Sequence, residues 1–339
     1  MTKYVNVAVV GYGYWGPNLV RNFNQIDGGR LYSVCDLNEN ALRVVKKMYP
    51  GVTVTQNFDD IANNPEIDAV ALATPLKTHY PMGKEALLKG KHCLIEKPLT
   101  SSSAEAEELI ELAERNNCVL MVGHTFEYDS AVIKVKELIK QGKVGDIYYI
   151  DSSRLNLGLH RFDANVIWDL APHDLSIILF WLDMSPSRVS AFGGTYIRKG
   201  IADVAFINLE FPRNIMAHIH LSWLAPSKLR RTTVIGSERM IVYDDLESIE
   251  VVKVYDRSAK YLVGSDAGKK LETDYRVGDV TSPHVENVEP LRLECSEFIE
   301  AIRGKKKPKS DGYDGLRVVK ILEAADRSMR NKGKVEEIR

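Results

Sequence analysis

With 339 residues, 45% of them hydrophobic, the chain has material for two cores and a length that suits two domains sharing a cleft. Its 45 Lys and Arg against 46 Asp and Glu leave a net charge of −1, which excludes a global field favouring nucleic acid or an anionic membrane. The most apolar stretch, Val166 to Met184, carries Asp169, His173, Asp174 and Asp183, which excludes a membrane span.

The first strand is entered by Val5, so no signal peptide is expected. Cys35, Cys93, Cys118 and Cys295 are scattered without Cys/His clustering. Reduced, packed thiols in a cytoplasmic protein, and no metal site, are therefore expected.

That first strand, Val5-Asn6-Val7-Ala8-Val9-Val10, runs straight into Gly11-Tyr12-Gly13-Tyr14-Trp15-Gly16. This is a G-x-G-x-x-G spacing in the strand-to-helix context that gives it meaning. Gly11 suits a tight turn, Gly13 leaves the backbone open to a pyrophosphate, and Gly16 lets the next helix lie close to the strand. The helix is expected over Tyr14 to Gln25, with Pro17 in its first turn and its free N–H groups turned to the phosphates. A second strand, Leu31 to Cys35, ends on Asp36, 20 positions beyond Gly16. A carboxylate there suits the ribose hydroxyls and repels a 2′-phosphate, so the expected cofactor is NAD rather than NADP.

Helix and strand keep alternating: helix 38–48, strand 52–55, strand 69–74, helix 81–89, strand 92–96, helix 104–116 and strand 119–123. Parallel strands with crossover helices produce that pattern, so residues 1–123 read as a Rossmann domain. After a helix at 131–141 the strands lengthen and alternate in polarity, at 147–156, 188–197, 204–211, 215–224, 231–236, 240–243 and 249–255. A helix at 168–182 interrupts them, and helices at 291–303 and 313–330 close the chain. Residues 124–339 therefore read as a second α/β domain with an open, largely antiparallel sheet, suited to substrate binding and oligomerisation.

Three clusters carry chemistry. Thr74-Pro75 with His79 follows a parallel strand on the edge where open α/β sheets bind ligands; the same residues would also serve as a helix cap and first turn. Glu96-Lys97-Pro98 ends the strand 92–96, placing a lysine within reach of a nicotinamide; the alternative is that Glu96 and Lys97 pair as a plain surface feature. Asp169 and His173 lie four apart on one helix face, where a carboxylate can orient an imidazole base. The alternative makes Asp169 an N-cap and His173 a packed side chain.

Together, the glycine motif, Glu96-Lys97-Pro98 and Asp169-x-x-x-His173 resemble the glucose–fructose oxidoreductase / inositol dehydrogenase (Gfo/Idh/MocA) family over essentially the whole chain. The resemblance implies hydride exchange between nicotinamide and a secondary hydroxyl of a sugar or cyclitol, and a dimer or tetramer formed through the open sheet. By that carry-over Lys97 holds the reacting hydroxyl, and His173 takes or relays its proton.

A narrower similarity lies in Gly11-Tyr12-Gly13-Tyr14-Trp15-Gly16-Pro17-Asn18-Leu19, Gly123-His124-Thr125-Phe126 and Val166 to Asp174. These resemble bacterial and archaeal 3-dehydrogenases of UDP-N-acetylglucosamine and its uronic acid. At Phe126-Glu127-Tyr128 the chain lacks the Arg that many simple-sugar relatives carry. Two basic clusters, Arg154, Asn156, His160 and Arg161 on one side and Lys228, Arg230 and Arg231 on the other, could hold a diphosphate or simply be solvated strand ends.

Overall fold

The computed structural model describes residues 4–158, 164–262, 272–304 and 306–339. They divide into two compact units: one runs up to Tyr128 and includes Val288–Glu323, and the other comprises Asp129–Asn287 and Ala324–Arg339.

The first unit alternates β1 (Val5–Val10), α1 (Gly16–Gln25), β2 (Gly29–Cys35), α2 (Glu39–Met48), β3 (Thr53–Thr55), α3 (Asp59–Ala62), β4 (Ala69–Leu72), α4 (Leu76–Leu88), β5 (His92–Glu96), α5 (Ser103–Arg115) and β6 (Leu120–Gly123). The six strands are all parallel, in the order β3-β2-β1-β4-β5-β6. The order reverses between β1 and β4, the crevice where such sheets take their ligands. Two helix starts in this unit differ from the sequence reading by more than one residue. Helix α1 starts at Gly16 because Tyr14 and Trp15 stay in the turn, and α4 starts at Leu76 with Pro81 inside it.

The second unit opens with α6 (Ser130–Lys140), capped by Asp129, whose side chain accepts from the Ala131 and Val132 amides. It continues through β7 (Ile147–Leu157), α7 (Val166–Leu182), β8 (Arg188–Gly194), β9 (Val204–Phe211), β10 (Ile215–Ser222), β11 (Leu224–Gly236), β12 (Met240–Asp244), β13 (Val252–Leu262) and β14 (Glu272–Thr281). The sheet runs β14-β13-β12-β11-β7-β10-β9-β8-β15, antiparallel except where β7 meets β10; β15 is Glu336–Glu337. Along β9, Ala205, Ile207 and Leu209 are buried while Phe206, Asn208 and Glu210 are exposed, so one face forms core and the other stays open. Helix α7 contacts β7, β9 and β10.

The sequence reading divided the chain once, at Gly123. Instead, α8 (Pro290–Ile302) and the first part of α9 (Gly312–Arg330) return to the first unit. Leu291, Cys295, Phe298 and Ile299 of α8 join the core around Leu19, Phe23 and Ile26, with the Phe23 and Phe298 rings edge-to-face at 6.3 Å. Burying each such large side chain is worth roughly 1.5–3 kcal/mol, enough to fix which core the helix joins.

Candidate active site

In the first unit, Gly11 adopts φ +93°, and a Cβ there would meet the Ala73 carbonyl oxygen at 2.5 Å. A Cβ on Gly16 would stand 2.0 Å from the Gly11 carbonyl oxygen, so helix and turn can meet only at glycine. At Gly13 a Cβ would touch nothing within 4 Å, and the residue is exposed. Trp15 occupies the N-cap of α1 without a side-chain cap, leaving the first N–H groups to an anion. Tyr14 is 89% exposed above them.

Asp36 directly follows β2, its carboxylate held by two amides: Tyr12 N–H donates to Oδ2 at 2.6 Å, and Asn38 N–H donates to Oδ1 at 2.7 Å. Each oxygen keeps a lone pair for a ribose hydroxyl. An open glycine, uncapped helix amides and a fixed acid fit a dinucleotide.

Thr74 and Pro75 lie between β4 and α4, and Pro75 takes the N-cap position without a side-chain bond. Thr74 Oγ1 accepts from Thr78 Oγ1 at 2.7 Å. His79 differs from its expected place beside the cofactor. It is 1% exposed, with Nδ1 2.8 Å from the Pro98 carbonyl oxygen and Nε2 2.9 Å from that of Thr74. Burial holds its pKa below the ordinary histidine value. His79 therefore braces the loops after β4 and β5 from beneath. Lys97 follows β5, is half-buried, and its peptide bond to Pro98 is cis.

A buried polar network missed by the sequence reading adjoins Glu96. His124 Nδ1 lies 3.0 Å from Asp314 Oδ2 and 3.3 Å from Glu127 Oε1. Burial alone would lower the His124 pKa, but hydrogen bonds to Asp314 and Glu127 raise it to about 10. Thr125 Oγ1 donates to Glu294 Oε2 at 2.8 Å, and Tyr128 O–H donates to Glu297 Oε1 at 3.0 Å. The ligand atoms of His124, Glu127 and Asp314 all lie within 4.8 Å of one another, but the contacts of the imidazole with both carboxyl groups already engage them. The only cue in the sequence was that a histidine and a glutamate directly follow a buried strand.

In the second unit, Asn165 caps α7, accepting from the Ile167 and Trp168 amides at 3.0 and 3.2 Å. Asp169 is therefore released from the capping role that the alternative reading gave it. Its Oδ2 accepts from Trp223 Nε1 at 3.2 Å, and His173 lies one turn further along, half-buried.

Three arginines of the basic clusters are paired with acids. Arg154 is buried, its Nε donating to Asp174 Oδ2 at 2.7 Å. Arg230 pairs with Asp245 at 2.9 Å and Arg231 with Asp244 at 2.8 Å. The two arginines at Arg154 and Arg230 face each other across β7 and β11, and placing their charges together required acids nearby. Lys228 is exposed in the irregular part of β11. The Asn156 Oδ1 is buried without a hydrogen-bond partner among the described residues. His160 and Arg161 lie outside the described residues.

Comparison with known proteins gives two family matches: the oxidoreductase family with NAD-binding Rossmann fold over residues 5–124, and the GFO/IDH/MocA C-terminal domain over 132–242. The uncharacterized oxidoreductase YdgJ of Escherichia coli is 30% identical over 74% of this chain and 74% of its own. UDP-N-acetylglucosamine 3-dehydrogenase of Acidithiobacillus ferrooxidans is 27% identical over 93% of this chain and 94% of its own. The solved structure of that organism's UDP-N-acetylglucosamine 3-dehydrogenase GnnA superposes with a TM-score of 0.79 at 26% identity, covering 96% of this chain and 99% of that one. The chain belongs to the Gfo/Idh/MocA family of oxidoreductases and carries its NAD-binding Rossmann fold.

Proposed function

We propose that this enzyme is an NAD-dependent dehydrogenase that oxidises a secondary ring hydroxyl, C3, of a nucleotide-linked N-acetylamino sugar such as UDP-N-acetylglucosamine or its uronate. The observation that carries the cofactor half is the Asp36 carboxylate, pinned by the Tyr12 and Asn38 amides beside the glycine turn. A second phosphate on the ribose would face that charge. The substrate half is supported by similarity to UDP-N-acetylglucosamine 3-dehydrogenase along nearly the full chain. Arg154 and Arg230 are paired with acids, so the substrate reading leans on that similarity.

Gly11 to Gly16, Asp36, Thr74 and Pro75 would hold the dinucleotide, which would supply a hydride acceptor for the carbinol carbon. Lys97 donates to the reacting hydroxyl oxygen and stabilises its developing negative charge. His173 takes the hydroxyl proton, and Asp169, fixed by Trp223, orients the imidazole from one helical turn away. Self-association is assigned to the open sheet face, where Tyr149, Phe192, Phe206 and Met216 are exposed apolar side chains.

The test is to incubate nucleotide-free protein with NAD and a panel of UDP-sugars and free sugars, reading absorbance of reduced nicotinamide. Turnover confined to free sugars or cyclitols would replace the nucleotide-sugar reading with its rival. Cofactor binding with no turnover on any of them would leave an NAD-binding sensor.

A further inference from the structure

Between β8 and β9 the chain makes a loop, residues 195–203, whose base is tied more firmly than an exposed tip requires. Asp203 is fully buried, and its Oδ2 accepts from the Tyr196 amide at 2.5 Å and the Ile197 amide at 3.0 Å. Its own N–H donates to the Gly194 carbonyl oxygen at 2.8 Å, closing the loop at the strand ends. A buried carboxyl is tolerated only when such donors replace water. At the tip, Ile201 N–H donates to the Arg198 carbonyl oxygen at 3.2 Å around Gly200, whose φ is +85°.

The same anchor reaches the groups assigned to proton transfer. The Asp203 carbonyl oxygen accepts from Trp223 N–H at 2.9 Å, and the Trp223 indole donates to Asp169. The Ala202 carbonyl oxygen accepts at 3.0 Å from the N–H of Val166, the first residue of α7, which carries Asp169 and His173. The loop is therefore held in register with that helix, inside the second unit.

Tyr196 is 72% exposed, yet its ring is not loose. A Cβ on Gly194 would stand 2.5 Å from the ring Cε2 and 2.7 Å from the hydroxyl oxygen. The ring rests where only glycine leaves room, and its remaining surface faces outward. Lys199 is exposed at the turn three residues on. An aromatic ring and a cation on a fixed backbone supply what a nucleotide needs: a surface on which a base stacks and a charge for its phosphates.

We propose that this loop is the subsite for the nucleoside diphosphate end of the substrate, with Tyr196 stacked on the base and Lys199 on the phosphates. It deepens the nucleotide-sugar reading and rests on it. The base and the reacting hydroxyl lie at opposite ends of such a substrate, so a base subsite belongs away from His173 but on the same framework. Arg154 and Arg230 are then left to their acids.

The experiment measures binding of UDP and of inorganic pyrophosphate by calorimetry, with NAD present, in the full-length parent, Tyr196→Ala, Tyr196→Phe and Lys199→Ala. Tyr196→Ala should lose roughly 5- to 100-fold in UDP affinity, the usual effect of removing a ring beneath a base, and bind pyrophosphate as the parent does. Tyr196→Phe keeps the ring and should stay within about twofold of the parent. Lys199→Ala should weaken both ligands, and more at low ionic strength. With UDP-N-acetylglucosamine, kcat/KM should fall in step with UDP affinity.

Because Tyr196 and Lys199 are surface residues, the variants should keep the parent's unfolding temperature. Parental UDP affinity in Tyr196→Ala, from a parent that binds UDP, overturns the subsite and leaves the nucleotide-sugar reading standing. Equal losses in Tyr196→Phe and Tyr196→Ala overturn stacking as its basis. A lower sedimentation mass in Tyr196→Ala with UDP affinity unmoved gives the loop to self-association instead. A parent that neither binds UDP nor turns over any UDP-sugar sinks the reading and the subsite together.

Discussion

Arg154 on β7 donates from Nε to Asp174 Oδ2 on α7 across 2.7 Å, and both side chains are buried. The other Asp174 oxygen accepts from Ser152 Oγ at 2.9 Å, and Ser152 also meets Thr232 on β11. The pair therefore ties the helix to the sheet. Arg154→Met leaves a buried carboxylate without its cation, and removing one partner of such a pair costs about 3–5 kcal/mol. Urea unfolding should show that loss, and Arg154→Met combined with Asp174→Leu should recover most of it. Parental stability in the single variant would return Arg154 to ligand binding.

On the proposed reading, Asp36→Ala removes both the ribose contact and the charge that opposes a 2′-phosphate. NAD affinity should fall by about tenfold and NADP affinity should rise, since one charge-assisted hydrogen bond is worth about 1.5–3 kcal/mol. Fluorescence titration with both dinucleotides decides it. An unchanged NAD-to-NADP preference would remove Asp36 from the site.

His173→Asn keeps polarity and approximate size but lacks a base that titrates near neutral pH. Steady-state turnover should fall about 10²–10⁴-fold with NAD binding barely altered. Lys97→Met should lower turnover as well, and the double variant should lose far less than the product of the two. Normal turnover in His173→Asn would leave the imidazole as packing.

The His124 network predicts how stability responds to alkali. The folded pKa of His124 is raised to about 10, so its contribution is full below the unfolded value near 6.5 and is lost as pH rises toward 10. Burial, reinforced by Asp314, raises Glu127 to about 8, so the folded state also keeps that proton when the unfolded chain has released it. Both signs agree between pH 6.5 and 8: the native state binds more protons, and stability falls as pH rises. The unfolding temperature should drop by several degrees from pH 6.5 to 9, and a His124→Asn, Glu127→Gln variant should flatten the slope. A slope of the same size in that variant would place the linked protons elsewhere.

Phe206 stacks on His220 at a centroid distance of 4.4 Å on the open face of the sheet. If two copies cover that face, Phe206→Glu places a charge in an apolar contact and should shift the sedimentation mass toward the monomer. Cofactor affinity should stay parental, because the dinucleotide residues belong to the other unit. An unchanged mass in a folded variant would move the interface to another surface.

The first sheet was legible because its signals are local. Val5 to Val10, Gly11 to Gly16 and Asp36 lie within one βαβ unit, where a turn that only glycine can make and a continuous apolar strand leave few alternatives. The alternation of β9 was equally readable, since one buried face imposes a period of two. Strand β14 was not: its described side chains are exposed, so pairing with β13 supplies backbone hydrogen bonds without any apolar period in the sequence. The apolar stripe of α8 announced a helix but not its partner, and only packing against Phe23 assigned it to the first unit. Charges behaved likewise. A list of residues shows that Arg154, Arg230 and His124 can carry charge, but Asp174, Asp245 and Asp314 lie between 15 and 190 positions away from them in sequence. Spatial neighbours decide whether a cation serves a ligand or a buried acid, and those neighbours are set by the tertiary fold.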